Sequence, residues 1–396
     1  MCEIASGSGP RPDPRATMAK GKQTPFAGLV AGSDTAMPEW YRKRHGVTVS
    51  EDLPSLREVI RALESVKDVT AGYKDPETDE WVEVPRRRAV VNPEWLGAGL
   101  EEANRGDALW QFASDQYSPV PPEDMWGPLV NVASRMDLTV YGVVTEHRHG
   151  GEVHADLVLP DFRFDVGEDT YVLTYESGFS HYGDQSLYYE VGAVNERTGS
   201  MYRGMTDKET CPHRGRATDK VAAWWEDGLS NAEDATSTLG SVMREAMRYT
   251  VPLASMPYNV GGFFEALKWP EALAEAAAAH VKSVNTGGAE PDEATALALY
   301  EGMAAAMTNE YEGKTGGYHL KRLNKRANKV LFSPPSAEAT VINYWQTQLA
   351  EQETLDMEER QHRKALGERY GDTQAAVEHY QDTKEQLKEI LNEAGA

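Results

Sequence analysis

The residues best suited to chemistry are cations. The run Lys314-Thr-Gly-Gly-Tyr-His-Leu-Lys-Arg-Leu-Asn-Lys-Arg-Ala-Asn-Lys329 carries no acid, and none occurs from residue 313 to residue 337. On a helix beginning at Tyr318, the residues Leu320, Leu323, Ala327, Val330 and Leu331 share one side. Lys321, Lys325 and Lys329 then stack at i, i+4 and i+8, with Arg322 and Arg326 beside them. With Lys314 they make a face that can track a phosphate backbone, each neutralised phosphate releasing a counterion. The competing use of these cations is pairing with Glu351, Glu353, Glu358 and Glu359 of the chain's own C-terminal helices. Arg42-Lys-Arg-His45 and Arg86-Arg-Arg88 are smaller basic clusters, and alternation along a strand turns Arg86 and Arg88 outward together. Tyr117, Tyr182, Tyr188 and Tyr189 offer rings on which bases can stack, or half-buried sheet residues.

A second cluster surrounds Gly150-Gly151. A two-residue turn there pairs 149 with 152, 148 with 153 and 147 with 154, so that His147, His149, Glu152 and His154 share a face. Three imidazoles and a carboxylate can hold a divalent metal. Val140, Val144, Val153, Ala155, Leu157 and Leu159 take the opposite, core side. The histidines then face solvent, where they need no ligand and lack the supporting hydrogen bonds of metal-bound imidazoles. Asp161, Asp165, Glu168 and Asp169 loosely resemble a metal-nuclease site, but the strand Tyr171-Val-Leu-Thr-Tyr-Glu176 brings no lysine to it. No Gly-x-x-x-x-Gly-Lys-Ser/Thr, Gly-x-Gly-x-x-Gly, Gly-x-Ser-x-Gly or His-Glu-x-x-His occurs. No residue is therefore assigned a catalytic role, and the one cofactor considered is a divalent metal at the histidines.

These groups must be positioned by a chain of 396 residues with 63 Asp+Glu, 40 Lys+Arg and a formal charge of −23. The length suits one large domain or two smaller ones, and 9 Trp, 18 Tyr and 8 Phe require a core. No apolar run approaches the roughly 18 residues a membrane span needs. Cys2 and Cys211 are too few for a disulfide framework, and the chain reads as cytoplasmic. An acidic balance with 24 Arg to 16 Lys suits solubility in high salt, where screening shortens to about 3 Å at 1 M.

Residues 1–50 read as a flexible arm, in which Met18 offers a second start. Residues 51–212 read as an α+β core. Pro54 opens its first helix; strands follow at 66–73 and 81–91, then a helix from Pro121 through Met136. The hairpin 139–149/152–160 and strands at 171–176, 187–193 and 201–203 complete a mainly antiparallel sheet. Residues 213–335 are helical, with helices at 217–229, 235–250, 259–282, 292–312 and 318–331. Long helices over 336–396, broken near Gly367 or Gly371, make the C-terminal half all-helical. Sparse apolar residues there, ending in Val377, Tyr380, Leu387 and Leu391, point to self-association through residues 372–392.

The segments Arg88-Ala-Val-Val-Asn92 and Ala113-Ser-Asp-Gln-Tyr117-Ser-Pro-Val-Pro-Pro-Glu123, with the hairpin Tyr141–Pro160, resemble a family of phage- and plasmid-encoded proteins of unknown function. Thr24-Pro-Phe-Ala-Gly-Leu29 is similar to that family's N-terminal motif, with Phe-Ala in place of Trp-His. Glu176 to Ser186 departs from the family's Asp-Gly turn by insertion and residue order. The resemblance, over roughly residues 24–250, implies a mobile-element setting and an α+β core. On these grounds the expected protein is non-enzymatic and binds or anneals single-stranded DNA through the basic helix. An assembly or virion-associated interaction protein is the alternative, and a metal-dependent nuclease a third.

The acidic balance makes one physical forecast. The midpoint of thermal unfolding rises between low salt and molar KCl, because screening removes self-repulsion from a surface of net charge −23. A midpoint that stays level or falls in differential scanning calorimetry refutes it.

Overall fold

Alternation of apolar and polar residues from Tyr141 to Asn195 builds the centre of the molecule. A computed structural model describes residues 22–30, 37–48, 52–63, 66–92, 109–147, 150–205, 209–215, 217–254, 259–309, 316–370 and 384. The chain forms two compact units, one running to Ala337 and the other from Glu338 onward.

In the first unit the N-terminal elements are β1 (Lys22–Ala27), α1 (Glu39–Arg44), α2 (Leu56–Ala62), β2 (Lys67–Lys74), β3 (Trp81–Val91), β4 (Leu109–Ser114) and α3 (Pro122–Arg135). Then come β5 (Tyr141–His147), β6 (Glu152–Val166), β7 (Asp169–Ser180), β8 (Leu187–Asn195), β9 (Met201–Tyr202) and β10 (Glu209–Cys211). The main sheet has seven strands in the order β1-β5-β6-β7-β8-β10, with β9 also on β8. Every pair in it is antiparallel. Strands β2, β3 and β4 form a separate three-stranded sheet. The first twenty-one residues lie outside the description. Lys22–Ala27, by contrast, was expected in a flexible arm and is an edge strand paired along β5. Its Thr-Pro-Phe stretch hid the period of two, because an edge strand needs apolar residues on one side only. Helix α2 starts at Leu56, two residues later than Pro54 implied. Ser55 caps it, accepting from the Glu58 amide (3.2 Å) while the Glu58 carboxylate accepts from the Ser55 amide (2.7 Å).

One face of the main sheet is mainly apolar. Val144, Val153, Ala155, Leu157, Leu173 and Tyr175 are buried on it. The Trp126 indole of α3 donates to Ser177 Oγ at 2.9 Å. Helices α4 (Ala217–Ser230) and α5 (Ala232–Arg248) complete the cover, with Tyr175 Oη donating to the Gly228 carbonyl at 2.7 Å. The other face is divided. Tyr141, Val143, Val158, Val172, Val194 and Met201 pack under Met37 and Tyr41 near α1, while the remainder is polar.

The helical half contains α6 (Asn259–Ala266), α7 (Glu271–Thr286), α8 (Ala296–Asn309), α9 (Gly316–Phe332) and α10 (Pro334–Tyr370). A short ribbon of β11 (Thr250–Pro252) and β12 (Glu293–Thr295) interrupts it. The single helix expected over 259–282 is two, because Pro270 caps α7 and cannot extend the preceding turn. Ala-rich α7 and α8 approach so closely that a Cβ on Gly302 would lie 2.7 Å from the Ala277 carbonyl. Helix α10 runs unbroken through Gly367, since one glycine costs a helix only about 1 kcal/mol. Gly371 and the expected association segment 372–392, apart from Lys384, lie outside the described residues. The fold is thus α+β, a mainly antiparallel sheet followed by helices.

Gly142 shows how tightly the sheet is assembled. A Cβ there would stand 2.0 Å from the Asp156 carbonyl and 2.9 Å from the Phe26 ring. Gly142→Ala therefore destabilises the protein by about 1–3 kcal/mol in chemical denaturation, the usual range for overpacking. A change under about 0.5 kcal/mol would show that β1 and β6 yield freely at this point.

Candidate functional site

Helix α9 forms where the cationic run predicted it. Leu323, Ala327, Val330 and Leu331 are buried, and Arg322, Lys325 and Lys329 are exposed. Arg326 is half-buried and its guanidinium donates to the Lys268 carbonyl, so it also fastens the helix. Asn328 holds α9 from within: it accepts from Tyr300 Oη at 3.0 Å and donates to the carbonyls of Arg203 and Gly204. Lys314 and the Lys321 side chain lie outside the described residues. The arginines of β3 stand on a different element. Arg88 is paired with Asp68, while Arg86 is exposed with a positive φ of 59°. Helix α9 packs on α8 and α5, whereas β3 pairs with β2 and β4. The two basic groups are therefore not built into one patch by direct packing of their elements.

The hairpin histidines are arranged differently from the expectation. His147 pairs with Glu152 and Thr145 with His154, a register two residues away from the expected one. A shift of two keeps every side chain on its face. Val144 and Leu157 remain in the core, and the His147 and His154 rings still meet, with centroids 5.7 Å apart. The face is not an open solvent face, however. His154 Nδ1 meets Tyr188 Oη at 2.8 Å and its Nε2 meets Glu152 Oε1 at 3.0 Å. Tyr188 Oη in turn donates to Glu176 Oε1 at 3.2 Å. Arg203 bridges Glu176 (2.7 Å) and Asp156 (2.9 Å). His149 lies outside the described residues.

This network is an acid-rich floor closed around one guanidinium. Burial, opposed by Arg203, holds Asp156 above the ordinary carboxylate range. Burial also works against the Arg203 charge, but Asp156 and Glu176 more than restore it. Tyr188 is raised by burial and by Glu176, Glu190 and Asp156, so its hydroxyl keeps its proton. Both nitrogens of His154 are engaged. A metal at this ring would have to displace Tyr188 or Glu152. Among the described residues, no three His, Cys, Asp or Glu side chains are placed to hold a metal ion. The acids after Pro160 are likewise used locally. Asp161 accepts from the Thr139 amide (2.5 Å), Asp165 from Thr170 Oγ1 (2.8 Å), and Asp169 from Arg197 Nη2 (2.7 Å). Arg197 also lowers the Asp169 carboxyl.

The sequence reading missed Asp156, Glu176 and Arg203. The signal was there: 152, 154 and 156 alternate as polar residues, and 176 and 188 face them once β6, β7 and β8 are aligned. Of the two uses offered for Tyr117, Tyr182, Tyr188 and Tyr189, burial favours that of sheet residues. Tyr188 is buried, and Tyr117 and Tyr182 are half-buried against the small cluster of Val90, Trp110 and Ala113. Among the described residues the exposed aromatics are Trp81, Phe112, Tyr73 and Phe332, at 64%, 62%, 52% and 42%.

A second polar centre lies beneath. His181 and His213, both buried, have ring centroids 5.5 Å apart. Trp110 stacks on His181 at 5.2 Å, Tyr117 stacks on His213 at 5.0 Å, and Tyr117 Oη meets His181 Nδ1 at 3.0 Å. Burial pulls the first imidazole down to about 3, with His213 adding to the effect, and the second down to about 4. Neither His181 nor His213 is protonated at neutral pH.

No family model, curated protein or solved structure matches this chain. Function therefore rests on the chemistry above.

The buried histidines set a pH dependence. Unfolded histidine takes up a proton near pH 6.5, whereas these two resist until about 3 and 4. Their stabilising contribution is whole above pH 6.5 and is lost as pH falls below it, by about 2 kcal/mol per ring at pH 5. Asp156 and Glu301, both raised by burial, act in the opposite sense. A His181→Gln variant isolates the ring. Its stability declines less than that of the wild type between pH 7 and pH 5 in urea titrations, by about 2 kcal/mol. Equal declines in both proteins would refute the assignment.

Proposed function

We propose that this is a non-enzymatic protein that binds single-stranded DNA, with α9 as its phosphate-tracking surface and a mobile genetic element as its setting. The observation that carries the reading is α9 itself. It is fastened through Leu323, Ala327, Val330, Leu331 and Asn328, and it exposes Arg322, Lys325 and Lys329 from an acid-free stretch of a chain of charge −23. A phosphate backbone supplies closely spaced negative charges that such a row of cations can follow. The setting rests on the resemblance of residues 24–250 to phage- and plasmid-encoded proteins.

A second reading, as an assembly or interaction component, draws on α10. Its residues 346–365 are exposed on every side, and Leu349, Leu355 and Met357 are among them. A helix segment exposed on every side, apolar residues included, gains little from packing within its own chain.

The deciding measurement is a gel shift with labelled single-stranded DNA across a salt series. The wild type shifts it with steep salt dependence. Lys325→Glu with Lys329→Glu weakens binding for all sequences alike and flattens the salt slope by about 0.7 per lost contact. No shift at low salt overturns this reading in favour of the assembly component, and unchanged binding in the double variant removes α9 from the interface.

A further inference from the structure

The small sheet has a face that the basic-helix reading does not use. Val90 and Ala113 turn inward with Trp110 to form its buried side. Val69, Ala89 and Phe112 are paired across β2, β3 and β4 and therefore share the opposite side. Arg87, paired with Ser114, and Lys67, paired with Val91, lie on that side too, two residues along their strands from Ala89 and Val69. Phe112 is 62% exposed in mid-strand, a position where an aromatic ring ordinarily buries most of its surface. Arg87 on the adjoining strand and Lys67 on the far strand are exposed on the same side, while Ala89 and Val91 between them are buried.

Charge is divided along this sheet. Asp75, Glu77, Asp79 and Glu80 crowd the β2–β3 turn at one end. Around Phe112 the side formed by Lys67, Val69, Arg87, Ala89, Val91, Phe112 and Ser114 has two cations and no acid. Asp68, which neutralises Arg88, belongs to the inward side. An exposed apolar ring with Arg87 on the next strand and Lys67 on the one beyond matches a ligand that alternates flat apolar surfaces with negative charge.

We propose that this side of the small sheet is a base-stacking platform for single-stranded DNA, with one base on Phe112 and the adjoining phosphates on Arg87 and Lys67. The inference rests on the single-strand reading of α9 and adds to it a contact that senses bases rather than phosphates. A ring that accepts any base confers affinity without sequence preference.

The experiment uses the full chain, a fluorescein-labelled oligothymidine and an abasic sugar–phosphate oligomer of equal length, read by anisotropy at low salt. The wild type binds oligothymidine more tightly. Phe112→Ala lowers that affinity about tenfold and leaves the abasic oligomer's unchanged, Phe112→Trp restores it, and Arg87→Glu weakens both ligands. Unchanged oligothymidine binding in Phe112→Ala, or equal wild-type affinity for the two ligands, overturns the platform and leaves α9 standing. Wild-type protein that binds neither ligand overturns both.

Discussion

Arg203 is the hinge of the design. It is the one described cation held against Asp156 and Glu176 on the main sheet, and without it two half-buried carboxylates would repel each other across adjacent strands. Removing one partner of such a pair leaves an uncompensated charge and is strongly destabilising. The same residue's carbonyl, with that of Gly204, receives the Asn328 amide of α9. A single residue thus neutralises the sheet's polar floor and seats the cationic helix beside it.

The two polar centres solve opposite problems. Around Arg203 the charges are kept and balanced, with Tyr188 and His154 carrying the hydrogen bonds outward. Around His181 and His213 charge is removed altogether, because stacked Trp110 and Tyr117 offer no counter-ion to an imidazolium. The second solution joins the small sheet to the main one, since Trp110 belongs to β4 and His181 directly follows β7.

Much of this was legible in the residues. The helix after Pro121 and the basic helix follow from periodicity, because each has an apolar stripe, and the strand 81–91 from its valine-rich ends. The edge strand β1 was hidden by its shortness, and the division of 259–286 by the ambiguity of a proline within an apolar run. The hairpin faces came out correctly although the register did not, because two glycines invite a two-residue turn while the sheet's pairing ends earlier, at His147 and Glu152. The Arg203 cluster could not be read locally: its members lie on four strands or their ends, and they meet only after the sheet is assembled. The exposed ring of Phe112 was invisible for a related reason, since sequence shows that a ring is present but not that most of its surface stays open.

The edge strand β1 carries a safeguard against fibrous growth. Its Ala27 amide points away from β5 and is taken by the Pro54 carbonyl at 3.1 Å, which fixes the outward direction for every second residue. Two residues earlier that direction falls to Pro25, which has no amide hydrogen to offer. A foreign strand arriving at this border would find one donor missing and the next already occupied. The opposite border, β10, is three residues long and begins with Glu209. Short, interrupted, charged borders of this kind discourage edge-to-edge polymerisation.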